Sequence, residues 1–481
     1  MRHMLASCVI ACVGVLAISP SLAAQAGPPT KIALTGGRII TVSGADIESG
    51  TVLIEHGIIK AVGANVEIPF DATEIDVSGK VLFPGMIDPH SARGLDVPNE
   101  NLPVAPFLDV YDALDPSRIF FEDSLRDGIT TVHVMQANNL VIGGVSRAVR
   151  PIGLTVDEMT VHPRIGLKLA TTPRSGYDRM RQMASLREAF DELEHYEARL
   201  AERKYEESLK DKPVDVGPAE ARQRGKALVK DEDYDDRHLN LMRLKRGDLS
   251  AWIYAGRATD VGRAIALAEQ QGFLDKAVLV LGPESFKAVV EIKKSGVPVV
   301  LDENLFFRDR DPITRELQEV FVPRVMHDNG IAFALQTHPS GSMAERYLNY
   351  QAALCVRNGV PRQTALESIT LTPARMLGLG EQLGSIETGK AGNIVVFSGD
   401  PLDFNSWVEH VYIDGLLAYD RSKDHRLQKL LELGRANEAK SSAPEAAPAE
   451  AVPADQPAPD RGATGDGERR PQRPQREGGR P

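Results

Sequence analysis

Cysteine is nearly missing from this sequence. Cys8 and Cys12 fall within the first dozen residues, and beyond them only Cys355 remains. If the N-terminal segment is removed, no internal disulfide is possible. Positive charge is not in excess either. The 67 acidic residues outnumber the 56 lysines and arginines, giving a net charge of -11 and a pI near 5.6. That balance excludes a general nucleic-acid binder, which needs a basic face to meet phosphate. There is no Gly-x-Ser-x-Gly elbow and no Walker loop, so a serine-hydrolase or a P-loop NTPase reading has no anchor. Histidine is absent between His238 and His327.

Long apolar runs are also scarce. The one at Leu5–Ile18 follows the basic Arg2 and His3 and precedes the small residues Ser21-Leu22-Ala23 and Ala24-Gln25-Ala26. This three-part pattern reads as a secretory signal over residues 1–26. The alternative is an uncleaved anchor, although the run is short for a membrane span. Cys8 and Cys12 precede most of the apolar run, so lipid attachment there would leave almost no signal. The mature chain is expected to be exported and periplasmic, without a membrane span.

From Lys31 to about Val81, short apolar runs alternate with turn signals such as Gly36-Gly37, Ser43-Gly44 and His56-Gly57. They read as a small β-sheet, with His56 on the surface. Strand-like runs return at Asn393–Phe397 and Val408–Ile413. Between these ends, strand-like runs (Thr130–Val134, Ala277–Leu281, Val297–Leu301, Ile331–Leu335) alternate with helix-like ones (Val261–Gln271, Phe286–Lys294). Such alternation implies a parallel sheet with right-handed crossovers.

Residues 178–250 break the rhythm. Met183, Leu186, Phe190, Leu193 and Leu200 recur at three- and four-residue steps in a highly charged segment, which predicts a long amphipathic helix. Pro213 and Pro218 end it, and charge continues through Arg246. It is either an elongated helix with a solvated face, or a dimer contact or lid. Beyond about Asn437 only Val452 is a sizeable aliphatic. That tail, residues 437–481, cannot offset its ordering entropy by burial and should stay disordered.

Leu82-Phe83-Pro84-Gly85-Met86-Ile87-Asp88-Pro89-His90-Ser91-Ala92 resembles the P-G-[LMFW]-[IV]-D-x-H-x-H strand of the amidohydrolase superfamily. Gly128–Val132 is similar to that family's second strand. Val141-Ile142-Gly143-Gly144, Ile152–Val156 and Thr372–Leu379 resemble its imidazolonepropionase-like branch. The resemblance implies a (β/α)8 TIM-like barrel over residues 81–383, carrying the insertion 178–250. It also implies a composite β-sandwich built from residues 27–80 and 384–425.

Active relatives hold a metal through two histidines on strand 1, Lys or Glu on strand 4, histidines on strands 5 and 6, and an Asp on strand 8. A bound metal polarises the carbonyl and acidifies water. Here His90 is kept, but Ala92 takes the second histidine position. Ile253-Tyr254-Ala255-Gly256-Arg257 and Val280-Leu281-Gly282-Pro283 lack the next two histidines, and Thr337 stands where the Asp is expected. Lys168 occupies the strand 4 position, where it is a ligand candidate or an ordinary strand-end lysine. His338 is a further candidate at the same mouth. His133 reads as a buried, hydrogen-bonded core residue. His162, His195, His327, His410 and His425 read as surface or helix residues.

The resemblance therefore leads to a catalytically degenerate homologue of metal-dependent C–N hydrolases. It would carry no cofactor and act by binding a small molecule, by forming a homodimer, or by pairing with an active paralogue. The alternative is an active enzyme with a sparser zinc site built from His90, His338 and Asp302 or Glu303, since two imidazoles and a carboxylate can hold zinc.

Overall fold

The computed structural model describes residues 31–210, 216–311, 313–337 and 346–441, without the side chains of 436–441. The expected signal segment, residues 442–481 and Pro213 lie outside the described residues. Among the described residues no helix is long and apolar enough to cross a membrane.

The N- and C-terminal segments meet in one eight-stranded sheet. Lys31–Ile39 pairs antiparallel with Ile47–Glu55, and parallel with Thr73–Asp76 and Val81–Pro84. Val81–Pro84 then pairs antiparallel with Ile394–Phe397, which leads to Val408–Ile413 and Leu416–Asp420. Its apolar residues Ile32, Leu34, Val52, Ile54, Leu82, Ile394 and Val396 form a core of their own. The His56-Gly57 turn is left-handed at both residues, and His56 is exposed as expected. His410 differs from expectation. It is half-buried on the strand Val408–Ile413, which is paired on both sides, with Ile394–Phe397 and Leu416–Asp420.

Gly85 separates the strands Val81–Pro84 and Met86–Ser91. A Cβ at this position would lie 2.0 Å from Thr130 Oγ1, so the glycine leaves the room that the threonine side chain fills. The second strand pairs parallel with Ile129–Val134, which pairs antiparallel with Arg147–Val149.

A six-stranded sheet follows. Gly166–Ala170, Ser250–Ala255, Ala277–Leu281, Val299–Val300 and Phe333–Ala334 run parallel, with Ile142–Val145 antiparallel at one edge. These strands are buried almost throughout, as parallel strands covered on both faces must be. Inward residues from both sheets share one core: Ile87, Ala148, Trp252, Val278, Val280, Val300 and Ala334.

The charged insertion contains the 30-residue helix Arg179–Ser208, capped by the Asp178 carboxylate on Arg181 N. Leu186, Phe190, Leu193 and Leu200 are buried on one face. Each large apolar side chain removed from water contributes about 1.5–3 kcal/mol, which anchors this otherwise solvated helix. The charged stretch after Pro218 is helical too, in Pro218–Lys226 and Asp236–Arg246. Proline at the first helical position starts the first of these rather than breaking it. Residues to Asp424 form one compact unit. The helix His425–Ser441 opens a second unit and runs past Asn437, where the composition changes.

Candidate functional site

Strands that run parallel deliver their C-terminal ends to one place. His90 comes from Met86–Ser91, Lys168 from Gly166–Ala170, and Gln336 and Thr337 follow Phe333–Ala334. His90 is buried, and both its ring nitrogens are engaged. Nδ1 lies 2.7 Å from Gln336 Oε1, and Nε2 lies 2.8 Å from Lys168 Nζ. The Gln336 amide nitrogen donates to Leu301 O at 2.9 Å and to Glu303 at 3.4 Å, so Oε1 is the acceptor facing the imidazole. His90 therefore carries its proton on Nδ1, and Nε2 accepts from the lysine amine.

Lys168 is not an ordinary strand-end lysine. It sits in the middle of its strand with no exposed surface. Beyond His90, the Tyr254 ring faces it, with the centroid 5.8 Å from Nζ. Burial without an adjacent carboxylate holds its amine well below the usual lysine range. Burial, and then the nearby Lys168, likewise hold His90 well below the ordinary imidazole value.

Thr337 donates its hydroxyl to Asp88 Oδ2 at 2.6 Å. Burial pushes the Asp88 carboxyl up to about 6, against the lowering effect of that hydrogen bond. His133 is a core residue, as its position implied. Nδ1 donates to Pro89 O at 2.8 Å, and Nε2 lies 2.7 Å from the Ser146 hydroxyl. Burial lowers its pKa to about 3, so it stays neutral.

His90 opens onto a cavity of about 580 Å³ whose walls include Ala92, Arg93, Phe120, Asn138 and Glu303. A separate cavity of about 310 Å³, lined by Tyr350, Phe404 and Trp407, shares no residue with it.

Strand 1 offers a single imidazole, and its two nitrogens already have partners. No group of three His, Cys, Asp or Glu side chains among the described residues is placed to hold a metal ion. Those residues do not fit the metal that the resemblance implies. Glu303 reaches the cavity as expected. His338 lies outside the described residues.

His90, Lys168 and Thr337 stand out in the sequence, whereas Gln336, the partner of His90, and Arg93 do not. Gln336 directly precedes Thr337, and that adjacency is the available signal. Nothing in the sequence marked Arg93.

The "Amidohydrolase family" model matches residues 314–419. The chain is 31% identical over 97 residues to the "Amidohydrolase tasK" of Hapsidospora irregularis, covering 20% of this chain and 10% of that protein. It is 30% identical over 111 residues to the imidazolonepropionase of Thermoplasma volcanium, covering 22% and 28% respectively. The chain thus spans well under a third of the length of these curated relatives. The solved structure of an amidohydrolase from Thermotoga maritima superposes with a TM-score of 0.66 at 27% identity, over 81% of this chain and all of that one. The chain is therefore similar in sequence to amidohydrolases over part of its length, and it shares the fold of the solved amidohydrolase over most of it.

Proposed function

We propose that this is a catalytically degenerate amidohydrolase, in which the four- and six-stranded sheets are arcs of one barrel and the former metal position is closed by hydrogen bonds. One observation carries the reading: His90 is held between Lys168 and Gln336, 2.8 and 2.7 Å from its two ring nitrogens. A ligating imidazole needs a free lone pair on the metal side, and here that lone pair accepts from an amine. The general base is likewise replaced, since Thr337 is spent as a donor to Asp88. The cavity beside His90 then acts as a site for a small molecule. An exported protein of this kind works in the periplasm as a binding subunit, alone or beside an active paralogue.

The test is metal content by plasma mass spectrometry on the full chain, purified without chelator and then offered zinc. Background metal is the expected result. Near-stoichiometric zinc that disappears in His90→Ala would overturn the reading and establish a working hydrolase with a sparser site.

A further inference from the structure

The cavity beside His90 holds an arginine whose guanidinium makes no ion pair among the described residues, the carboxylates of Asp88, Asp123 and Asp127 acting on it only from farther off. Arg93 is half-buried and lines the cavity, with its guanidinium stacked 4.5 Å over the Phe120 ring. Its backbone N–H donates to Ser91 Oγ at 3.4 Å. Among the described residues, however, its guanidinium has no carboxylate within ion-pair distance and no hydrogen-bond acceptor. A planar guanidinium offers five donors in a fork that matches a carboxylate. Stacking on Phe120 fixes the plane of that fork in advance, so less rotamer freedom is lost when an anion arrives.

The other charged groups at the cavity are engaged. Arg118 donates to Asp96 O at 3.0 Å and lies 3.5 Å from Asp115. Asp96 accepts from Val97 N at 2.7 Å, and Glu303 accepts from Gln336 at 3.4 Å. The rest of the wall is largely apolar, from Leu95, Pro98, Ile119 and Phe120. At about 580 Å³ the space falls within the range of small-molecule sites.

We propose that this cavity is a receptor for a small organic monocarboxylate, with Arg93 as the residue that binds the anion. The proposal rests on the cavity's being a binding site rather than a hydrolytic centre. Arg93 is the cation at the cavity left without a hydrogen-bonded partner among the described residues, which suits a single negative charge, and the carboxylates of Asp96 and Glu303 oppose a phosphate dianion. The apolar wall selects an acid with an aliphatic or aryl body.

Ligand-observed NMR on the full chain tests this. The probes are benzoate, 3-phenylpropionate, hexanoate and N-acetylproline, each beside its primary carboxamide, with phenyl phosphate as the dianion. At least one acid should bind, with its amide weaker by about tenfold or more, since a charge-assisted pair has replaced a neutral one. Arg93→Gln should weaken the acid by roughly 10- to 100-fold and leave the amide unchanged, and Arg93→Lys should retain part of the affinity. The proposal is overturned if no probe binds, if acids and amides bind alike, if phenyl phosphate displaces the acids, or if Arg93→Gln binds as the unaltered chain does. Should Arg93→Gln fail to fold, the acid–amide comparison on the unaltered chain decides alone. Stoichiometric zinc would defeat the degenerate-hydrolase reading without touching the acid–amide contrast, so the two failures are distinct.

Discussion

Lys168 Nζ and His90 Nε2 lie 2.8 Å apart, joined across two strands whose residues are 78 positions apart in the chain. An amine and an imidazole, both buried, cannot both be charged at that distance. Burial disfavours charge on both groups, so the lysine amine donates to a neutral imidazole, and this arrangement has a measurable consequence for stability.

Lys168 has a folded pKa far below its unfolded value. Between those two values the unfolded chain binds a proton that the folded chain does not. Stability therefore rises with pH toward the unfolded lysine pKa, by up to about 1.4 kcal/mol per pH unit. Urea unfolding between about pH 7.5 and 9.5, within that lysine window, should show this slope in the wild type and lose it in Lys168→Met. The same slope in both proteins would mean that another group produces it. Methionine should also be tolerated at neutral pH, since it removes the cost of desolvating an amine.

Asp88 gives the opposite sign in another window. Its folded carboxyl titrates near 6 rather than 3.8, so the folded chain binds more protons than the unfolded one between these values. Stability from this group falls as pH rises through that window, by roughly 3 kcal/mol in all. In Asp88→Asn the amide oxygen can still accept from Thr337, and the titration is gone. The stability difference between Asp88→Asn and wild type should therefore grow by about that amount from pH 4 to pH 6. A constant difference across the range would place the titration elsewhere.

Parts of this arrangement are legible in the sequence, and the reason differs from part to part. The break at Pro84-Gly85 and the spacing of Leu186, Phe190 and Leu193 on one helix are local patterns. They need only neighbours in the chain, and they are found where expected. The site depends on partners that the fold supplies. Gln336 meets His90 across 246 positions, and Thr337 meets Asp88 across 249. No spacing rule predicts such a pair. Lys168 misleads because a lysine in a strand normally places its ammonium in water, whereas here Leu167 and Leu169 are buried on the opposite face too. The hairpin of Phe306–Arg310 and Leu317–Phe321 carries no such signal, because its apolar residues do not alternate with polar ones and most gather at one end, where Phe306 and Phe307 face Phe321 and Val320.

Gln182 decides whether the long insertion helix is part of the body of the protein or only rests on it. It lies fully buried in the first turns of Arg179–Ser208, an uncharged polar residue one turn before Leu186. Its amide nitrogen donates to Leu140 O at 2.9 Å and to Ala170 O at 2.8 Å, and its oxygen accepts from Arg174 N at 3.2 Å. The helix is thereby clamped to the end of the strand that carries Lys168. Nearby, Arg179 pairs with the fully buried Asp260 at 2.8 Å and fastens the same end of the helix to Ala258–Gln271. In Gln182→Leu two buried carbonyls and one N–H lose their partner, each at a cost of about 1–3 kcal/mol before relaxation. Stability to urea should fall by about 2–4 kcal/mol. Amide exchange should accelerate through the first half of the helix and leave Ala277–Leu281 protected, because that strand has no contact with the clamp. Unchanged stability with fast exchange already present in the wild type would show the insertion to be an independent appendage. The clamp would then contribute nothing to holding Lys168 beneath His90.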